Sequence, residues 1–239
     1  MSELKRQAEA WHETKGERVL RLADVVHKKL TTPPGINVSY ELDLKGPGKA
    51  LFKPKSGEAA CRPSITPGTY LLREALAFRL DRMFGFNLVP VTVIRKVDGE
   101  DGSAQTWVNI DRWYIHQYTK LDQARMAVLD YVMGNTDRHA FNWRTQVDGR
   151  PAAVDNGLSL PRNASYPIRS KWVVQMLKTE LPERVQTEVT QANPDTALRY
   201  LEEMGIEAVA ADGFSRRLDE LRSNGLILGT EWAGPIVAT

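Results

Sequence analysis

MGNTDRHAFNW at 133–143 and AAVDNGLSL at 152–160 decide how this 239-residue chain is read. The first stretch crowds an acid, a guanidinium, an imidazole and two amides into one polar turn, directly after the helical run MAVLDYVM. Asp137 and Asn142 stand five apart on a loop that follows a helix, so both can point into one cleft. Asp155 ends a short strand and is followed by Asn156 and Gly157. Phosphoryl transfer needs a group that orients the attacking oxygen and oxygen ligands for a magnesium ion, because its loose transition state is stabilised by positioning and charge neutralisation. Asp137, Asn142 and Asp155 supply that set. Gly157 is expected to let the backbone turn sharply as the carboxylate leaves the strand.

Working outward, LDQARMAVLDYVM reads as a helix from about 120 to 133 leading into the turn, and NWRTQV and AAVD read as short strands around DGR. Upstream, PGTYLLREALAFRLDRMFGF is a helix with Leu71, Ala75, Phe78 and Arg82 on one side, Pro67 near its start and Gly85 at its stop. INVSYELDL and KALFKP flank the turn residues GPG as a hairpin over 36–54, and LVPVTVIRKV and SAQTWVNI flank DGEDG as two further strands. Apolar residues at three- and four-residue steps from Leu4 to Leu30 predict an amphipathic helix over 3–30, which TTPPG then breaks. The region 170–225 reads as mostly helical and the tail from 229 as irregular. The pattern predicts an α+β protein: a helical extension at 1–32, a strand-rich unit at 33–108 with an antiparallel sheet plus helix, and a mainly helical unit at 109–239.

GNTDRHAFNW followed by VDNGLSL resembles the catalytic loop and metal-binding D-x-G of the atypical kinases, namely the phosphatidylinositol 3-/4-kinase superfamily and the bacterial HipA-like kinases. The resemblance covers roughly 33–160 and implies a bilobed protein kinase-like fold, ATP and Mg²⁺ as cofactors, and transfer of the γ-phosphate to a hydroxyl of a protein or small molecule. It implies that Asp137 orients or deprotonates the nucleophile and that Asn142 and Asp155 bind metal. His139 matches a histidine that some lipid kinases are thought to use as base, so the base stays open between Asp137 and His139; Arg138 supports the loop. ALFKPKSGE is similar to the nucleotide-lysine strand, with Lys53 at the matching position, and REALAFRL puts Glu74 where the paired helix glutamate belongs. Gln105, Trp107 and Val108 would lie beside the adenine. The chain departs from the kinase pattern in lacking G-x-G-x-x-G; PPGINVSY is the nearest equivalent, so Gly35 and Asn37 would approach the phosphates instead.

Each residue also has a plain reading. Asp, Asn and Gly after a helix cap ordinary turns. Lys53 alone is a solvated strand lysine that contributes little to folding, and Glu74 alone pairs with Arg73 or Arg79 on a helix surface. Glu58 belongs either to a K-P-x-x-G-E run shared with the family or to solvent. His12, His27 and His116 have no partners at metal-ligand spacing, and Trp113, Tyr114 and Tyr118 read as core. It is the joint order of Lys53, Glu74, Asp137, Asn142 and Asp155 that favours the site. Two other functions remain compatible with it: a nucleotide-binding pseudokinase that serves as an interaction module, and a nucleotidyl (AMP) transferase on the same fold.

Composition narrows the partners. Lys plus Arg number 32 against 30 Asp plus Glu, a net charge of +2 that carries no nucleic-acid signature. The single cysteine, Cys61, forms no internal disulfide, which with a charged start and no stretch of ~18 apolar residues predicts a cytoplasmic protein without stable membrane insertion.

Overall fold

A computed structural model of the protein describes residues 11–31, 36–110 and 118–238. Strands β1 (Val25–Leu30), β2 (Tyr40–Leu44), β3 (Gly48–Pro54), β4 (Thr92–Val97) and β5 (Glu100–Thr106) form one antiparallel sheet in the order β1-β2-β3-β5-β4. Side chains alternate across a strand. In β3 that alternation sends Ala50 and Phe52 into a core with Leu42, Leu44, Val93, Val97 and Ala104, closed by Leu20 of helix α1 (Lys15–Leu22). It sends Leu51 and Lys53 to the opposite face, beside Ser103 and Gln105 of β5 and facing helix α2 (Tyr70–Phe84). The sheet therefore lies between two helices, and its lysine belongs to the α2 side.

Helix α2 ends where expected, at Gly85 in the left-handed conformation with φ 75°, a conformation glycine adopts without steric cost. It is buried nearly all round, because the sheet covers one side and the helical part of the molecule the other. Leu71, Ala75 and Phe78 lie inside as the periodicity predicts, whereas Arg82 turns outward to Asn87.

The second half is organised around α3 (Lys120–Val132), started by a capping box in which Thr119 and Asp122 exchange side-chain and backbone bonds. Met126, Val128, Leu129, Tyr131 and Val132 are at most 1% exposed, and fully burying an aliphatic side chain of this size contributes about 1.5–3 kcal/mol. Around α3 pack α4 (Lys171–Met176), α5 (Glu183–Gln191) and α7 (Ala208–Asn224), with α6 (Pro194–Glu203) bridging α2 and α7. The short strands β6 (Trp143–Thr145) and β7 (Pro151–Ala153) pair antiparallel, and β8 (Ile168–Arg169) pairs with β9 (Ile236–Val237). The tail read as irregular thus contains one strand.

The helix predicted over 3–30 is corrected within the described residues. Thr14 and Glu17 form a capping box that starts α1, the helix stops at Leu22, and Val25–Leu30 is the edge strand of the sheet. The β-branched pair Val25-Val26 suits a pleated strand, and Lys28 and Lys29 are charges that guard an exposed edge. The apolar spacing that mimicked a helix was shared by two elements.

One buried cation fixes the polar turn to this framework. The Arg138 side chain is fully buried, its Nε 2.9 Å from Asp130 Oδ1 on α3. Its Nη1 donates to the carbonyls of Asn142 and Val154, and its Nη2 to Asn156 Oδ1. The polar turn and the strand end carrying Asp155 are thereby tied to one guanidinium. Burial pushes the Asp130 carboxyl upward, while Arg138, Ser170 and Asn135 pull it back.

Removing one partner from a buried pair leaves an uncompensated charge. Arg138→Met is therefore expected to lower the unfolding free energy in denaturant titrations by about 3 kcal/mol or more; a loss below ~1 kcal/mol would show that the guanidinium is not what holds the turn. Asp81 offers a second test. It is fully buried, accepts backbone N–H bonds from Leu88 and Val89, and burial pushes its pKa up to about 7 despite those bonds. A folded-state pKa above the unfolded value of about 4 means that this group's contribution is complete below that pH and declines as pH rises toward 7. Asp81→Asn should flatten stability over that interval relative to the unaltered chain; an unchanged slope would exclude Asp81 as its source.

Candidate functional site

Strand β3 and helix α2 bring Lys53 and Glu74 together across twenty-one residues of sequence. Lys53 Nζ lies 2.5 Å from Glu74 Oε1 and 2.8 Å from Asp155 Oδ1, so one ammonium joins the sheet, the helix and the D-x-G segment. Glu74 Oε2 accepts the backbone N–H of Asn156 at 2.9 Å. Burial pulls the Lys53 ammonium down, but Asp155 and Glu74 outweigh it and leave the pKa above the ordinary lysine value. Burial likewise pushes Asp155 up, and Lys53, assisted by Arg138 and His139, overcomes this and holds the carboxyl below its usual range. Lys53 is not the solvated strand lysine of the plain reading: its side chain is 21% exposed and it is the cationic partner of Glu74, whose side chain is 4% exposed.

The sharp turn after β7 occurs at Asp155 itself, with φ 58°. Aspartate tolerates this left-handed conformation better than most non-glycine residues, at a cost of about 1–2 kcal/mol. Gly157 plays a different part from the one expected of it. It is absent from the residues of positive φ; a Cβ there would stand 2.9 Å from Tyr70 Cβ, so glycine is required for the close approach of α2.

In the polar turn Asp137 is half-buried, with Oδ1 2.7 Å from Arg62 Nη2 and Oδ2 3.8 Å from His139 Nε2. Burial raises its pKa, and Arg62 and His139 counteract part of the rise. Asn142 is 3% exposed and donates through Nδ2 to the Asp137 carbonyl at 2.7 Å. That bond engages Nδ2 within the loop. His139 accepts the Phe141 N–H through Nδ1 at 3.2 Å. In a neutral imidazole the proton then resides on Nε2.

The donor set suits a hard cation. Asn142 offers an amide oxygen and Asp155 a carboxylate, the kind of sparse oxygen ligation that magnesium takes when it arrives with phosphates and keeps several waters. Among the described residues no group of three or more His, Cys, Asp or Glu forms a complete metal cage. A tight crevice lined by Asn37, Lys53, Glu58, Tyr70, Glu74 and Asp155 leaves a volume of about 10 Å³, on the order of one water.

Other expected residues are distributed unevenly. Asn37 reaches this crevice and accepts the Ala59 N–H through Oδ1 at 2.8 Å, while Gly35 lies outside the described residues. Gln105 is 7% exposed, donates to Thr92 Oγ1 and lies next to Lys53 and Glu74. Trp107 and Val108 follow β5 as half-buried residues, with the Trp107 N–H on the Lys49 carbonyl. His12 and His27 are exposed and Tyr118 is buried as read; His116, Trp113 and Tyr114 lie outside the described residues. Arg62 and Asn156 escaped the sequence reading. Arg62 had no spacing signal, being 75 positions from Asp137, and Asn156 was visible only as the middle residue of D-N-G. Glu58 is engaged: its carboxylate accepts from Gly68, Tyr70 and Leu71 and caps α2.

Residues 91–190 match the sequence profile of the phosphatidylinositol 3- and 4-kinase family. The Mycobacterium tuberculosis "Protein Rv2133c" is 28% identical over 151 residues, covering 46% of this chain and 53% of that protein. The chain thus spans about half the length of the curated relative it matches. Among solved structures, the Golgi casein kinase superposes with a TM-score of 0.58 at 17% identity, over 87% of this chain and 74% of that one. Hydra Fam20 with sugar gives a TM-score of 0.55 at 15% identity, over 87% and 86%. No helix among the described residues is long and apolar enough to cross a membrane. With its antiparallel sheet, its helical second half and its D-x-G carboxylate paired to the strand lysine, the chain has a protein kinase-like fold, and its residues 91–190 are similar to the phosphatidylinositol 3- and 4-kinase family.

Proposed function

We propose that the protein is an ATP-dependent kinase that transfers the γ-phosphate to a hydroxyl of a protein or small molecule, in the cytoplasm. The observation that carries this reading is the single ammonium of Lys53 held between Glu74 and Asp155, with Asp137 and Asn142 on the loop that Arg138 binds to the same segment. In this reading Glu74 keeps Lys53 aimed at the α- and β-phosphates. Asn142 and Asp155 are the residues that would hold magnesium, which when bound neutralises charge on the transferred group. Asp137 receives the proton of the acceptor hydroxyl as its oxygen bonds to the γ-phosphorus and the bond to the β-phosphate oxygen breaks, leaving ADP. His139 serves less well as base, because its Nδ1 lone pair already accepts the Phe141 N–H. Asn37 and Gly35 are assigned to the phosphate side and Gln105, Trp107 and Val108 to the base side of the nucleotide.

Labelled ATP separates this from the other functions on the same fold. Label from the γ position is expected to appear on an acceptor in a lysate or on the chain itself, whereas label from the α position would establish nucleotidyl transfer. Asp155→Ala should abolish transfer and weaken Mg-ATP binding in calorimetry; unaltered transfer removes Asp155 from the site. Asp137→Asn should leave Mg-ATP binding within about twofold while transfer falls by ~10²–10⁴, the range for a general base. Equal activity of His139→Gln and the unaltered chain is expected alongside; a collapse in that variant, with Asp137→Asn active, would reverse the assignment.

A further inference from the structure

We propose that Arg62 is a positioning residue for Asp137, carried to it from the small lobe by the segment 55–69, so that the base is set only when the two lobes are docked on one another. This rests on the kinase reading of Asp137. The segment leaves β3 two residues after Lys53 and returns as α2, which carries Glu74. Its first half is anchored to the small lobe. Glu58 Oε2 accepts the N–H of Tyr70 at 2.9 Å and Oε1 that of Leu71 at 3.0 Å, and the Ala59 N–H donates to Asn37. Its second half is anchored to the large lobe. The Ser64 carbonyl accepts the Arg162 N–H and Ser64 Oγ the Asn163 N–H, both at 2.9 Å, while Ile65, 1% exposed, packs with Tyr70 and Leu158.

Arg62 lies between these anchors. Nη1 donates to the Cys61 carbonyl at 2.9 Å and Nη2 to Asp137 Oδ1 at 2.7 Å, so the guanidinium is braced against its own segment as it grips the acid. The Asp137 backbone is fixed independently by its N–H on Asn135 Oδ1 at 2.9 Å. With Oδ1 occupied, Oδ2 is the oxygen left for an acceptor hydroxyl, since His139 Nε2 at 3.8 Å is beyond hydrogen-bond reach. Both side chains keep contact with solvent, at 24% and 22% exposed, so neither is left as a fully buried charge when the other is removed. The effect of Arg62 is therefore on geometry: a carboxylate held at one oxygen keeps the orientation that proton transfer needs, and small misplacements there cost large factors in rate.

The test uses the full chain and Mg-ATP, with ADP release and label transfer into the chain as readouts. Arg62→Ala is expected to lower kcat by roughly 30-fold or more while KM for ATP and the calorimetric Mg-ATP affinity stay within about twofold. Guanidinium ion at low millimolar concentration should return part of the lost kcat to Arg62→Ala, and Arg62→Lys should retain an intermediate rate. The double variant Arg62→Ala/Asp137→Asn should be no slower than Asp137→Asn alone and should show no rescue, because the first residue acts through the second. Wild-type kcat in Arg62→Ala, multiplied losses in the double variant, or loss confined to a lowered melting temperature would each overturn the proposal and leave the kinase reading intact. An unaltered chain that binds Mg-ATP without turning it over would overturn both.

Discussion

The site depends first on the guanidinium of Arg138. Five donors on one planar group can hold several acceptors in fixed relative directions, which a point-charge ammonium cannot. Here they reach Asp130 on α3, the carbonyls of Asn142 and Val154, and the side chain of Asn156. The loop bearing Asp137 and Asn142 and the segment bearing Asp155 have no sheet or helix of their own long enough to orient them. They are oriented because their backbones end on the same buried cation, itself neutralised by the buried carboxylate of Asp130 on α3.

From Asn156 the connection runs on into the small lobe. Its backbone N–H meets Glu74, Glu74 meets Lys53, and Lys53 returns to Asp155. The loop of contacts is closed, and it crosses the lobe boundary twice. A shift of α2 would separate Glu74 from both Lys53 and Asn156, so the position of that helix is coupled to the position of the D-x-G carboxylate. The same helix is capped by Glu58 and packed against Gly157 through Tyr70. In this loop Lys53, Glu74 and the Asn156 N–H, which would be costly if left unpaired in the interior, are each satisfied by a neighbour from a different element.

How legible this was differs from residue to residue. Strand β3 and helix α2 could be read from alternation, helical periodicity and a terminal glycine, which put Lys53 on a strand and Glu74 on a helix, whereas their pairing was implied by the kinase resemblance and the burial of α2 came from packing. At 15–30 the same rules misled, because apolar residues of α1 and β1 happened to continue one three-to-four spacing across the Ala23-Asp24 junction, and only pairing with β2 separates strand from helix. Glycine chemistry misled similarly at Gly157: the need for glycine comes not from a turn of its own backbone but from Tyr70 Cβ of α2, which would stand 2.9 Å from an added Cβ.

By itself the sequence determined the elements that depend on near neighbours: the hairpin, α2, α3, the two short strands and the polar turn, together with the order of Lys53, Glu74, Asp137, Asn142 and Asp155 along the chain. Local backbone preferences and hydrophobic periodicity act over three to eight residues, and these features lie within that range. Tertiary structure alone decided that Lys53 serves two carboxylates, that the turn of the D-x-G segment falls on Asp155, that Glu58 caps a helix twelve residues on, and that Arg62 meets Asp137. Those contacts join residues up to 102 positions apart. Nothing in local preference encodes them; they follow from which faces must be buried once the sheet, α2 and α3 pack, and from the cost of leaving a charge without a partner there.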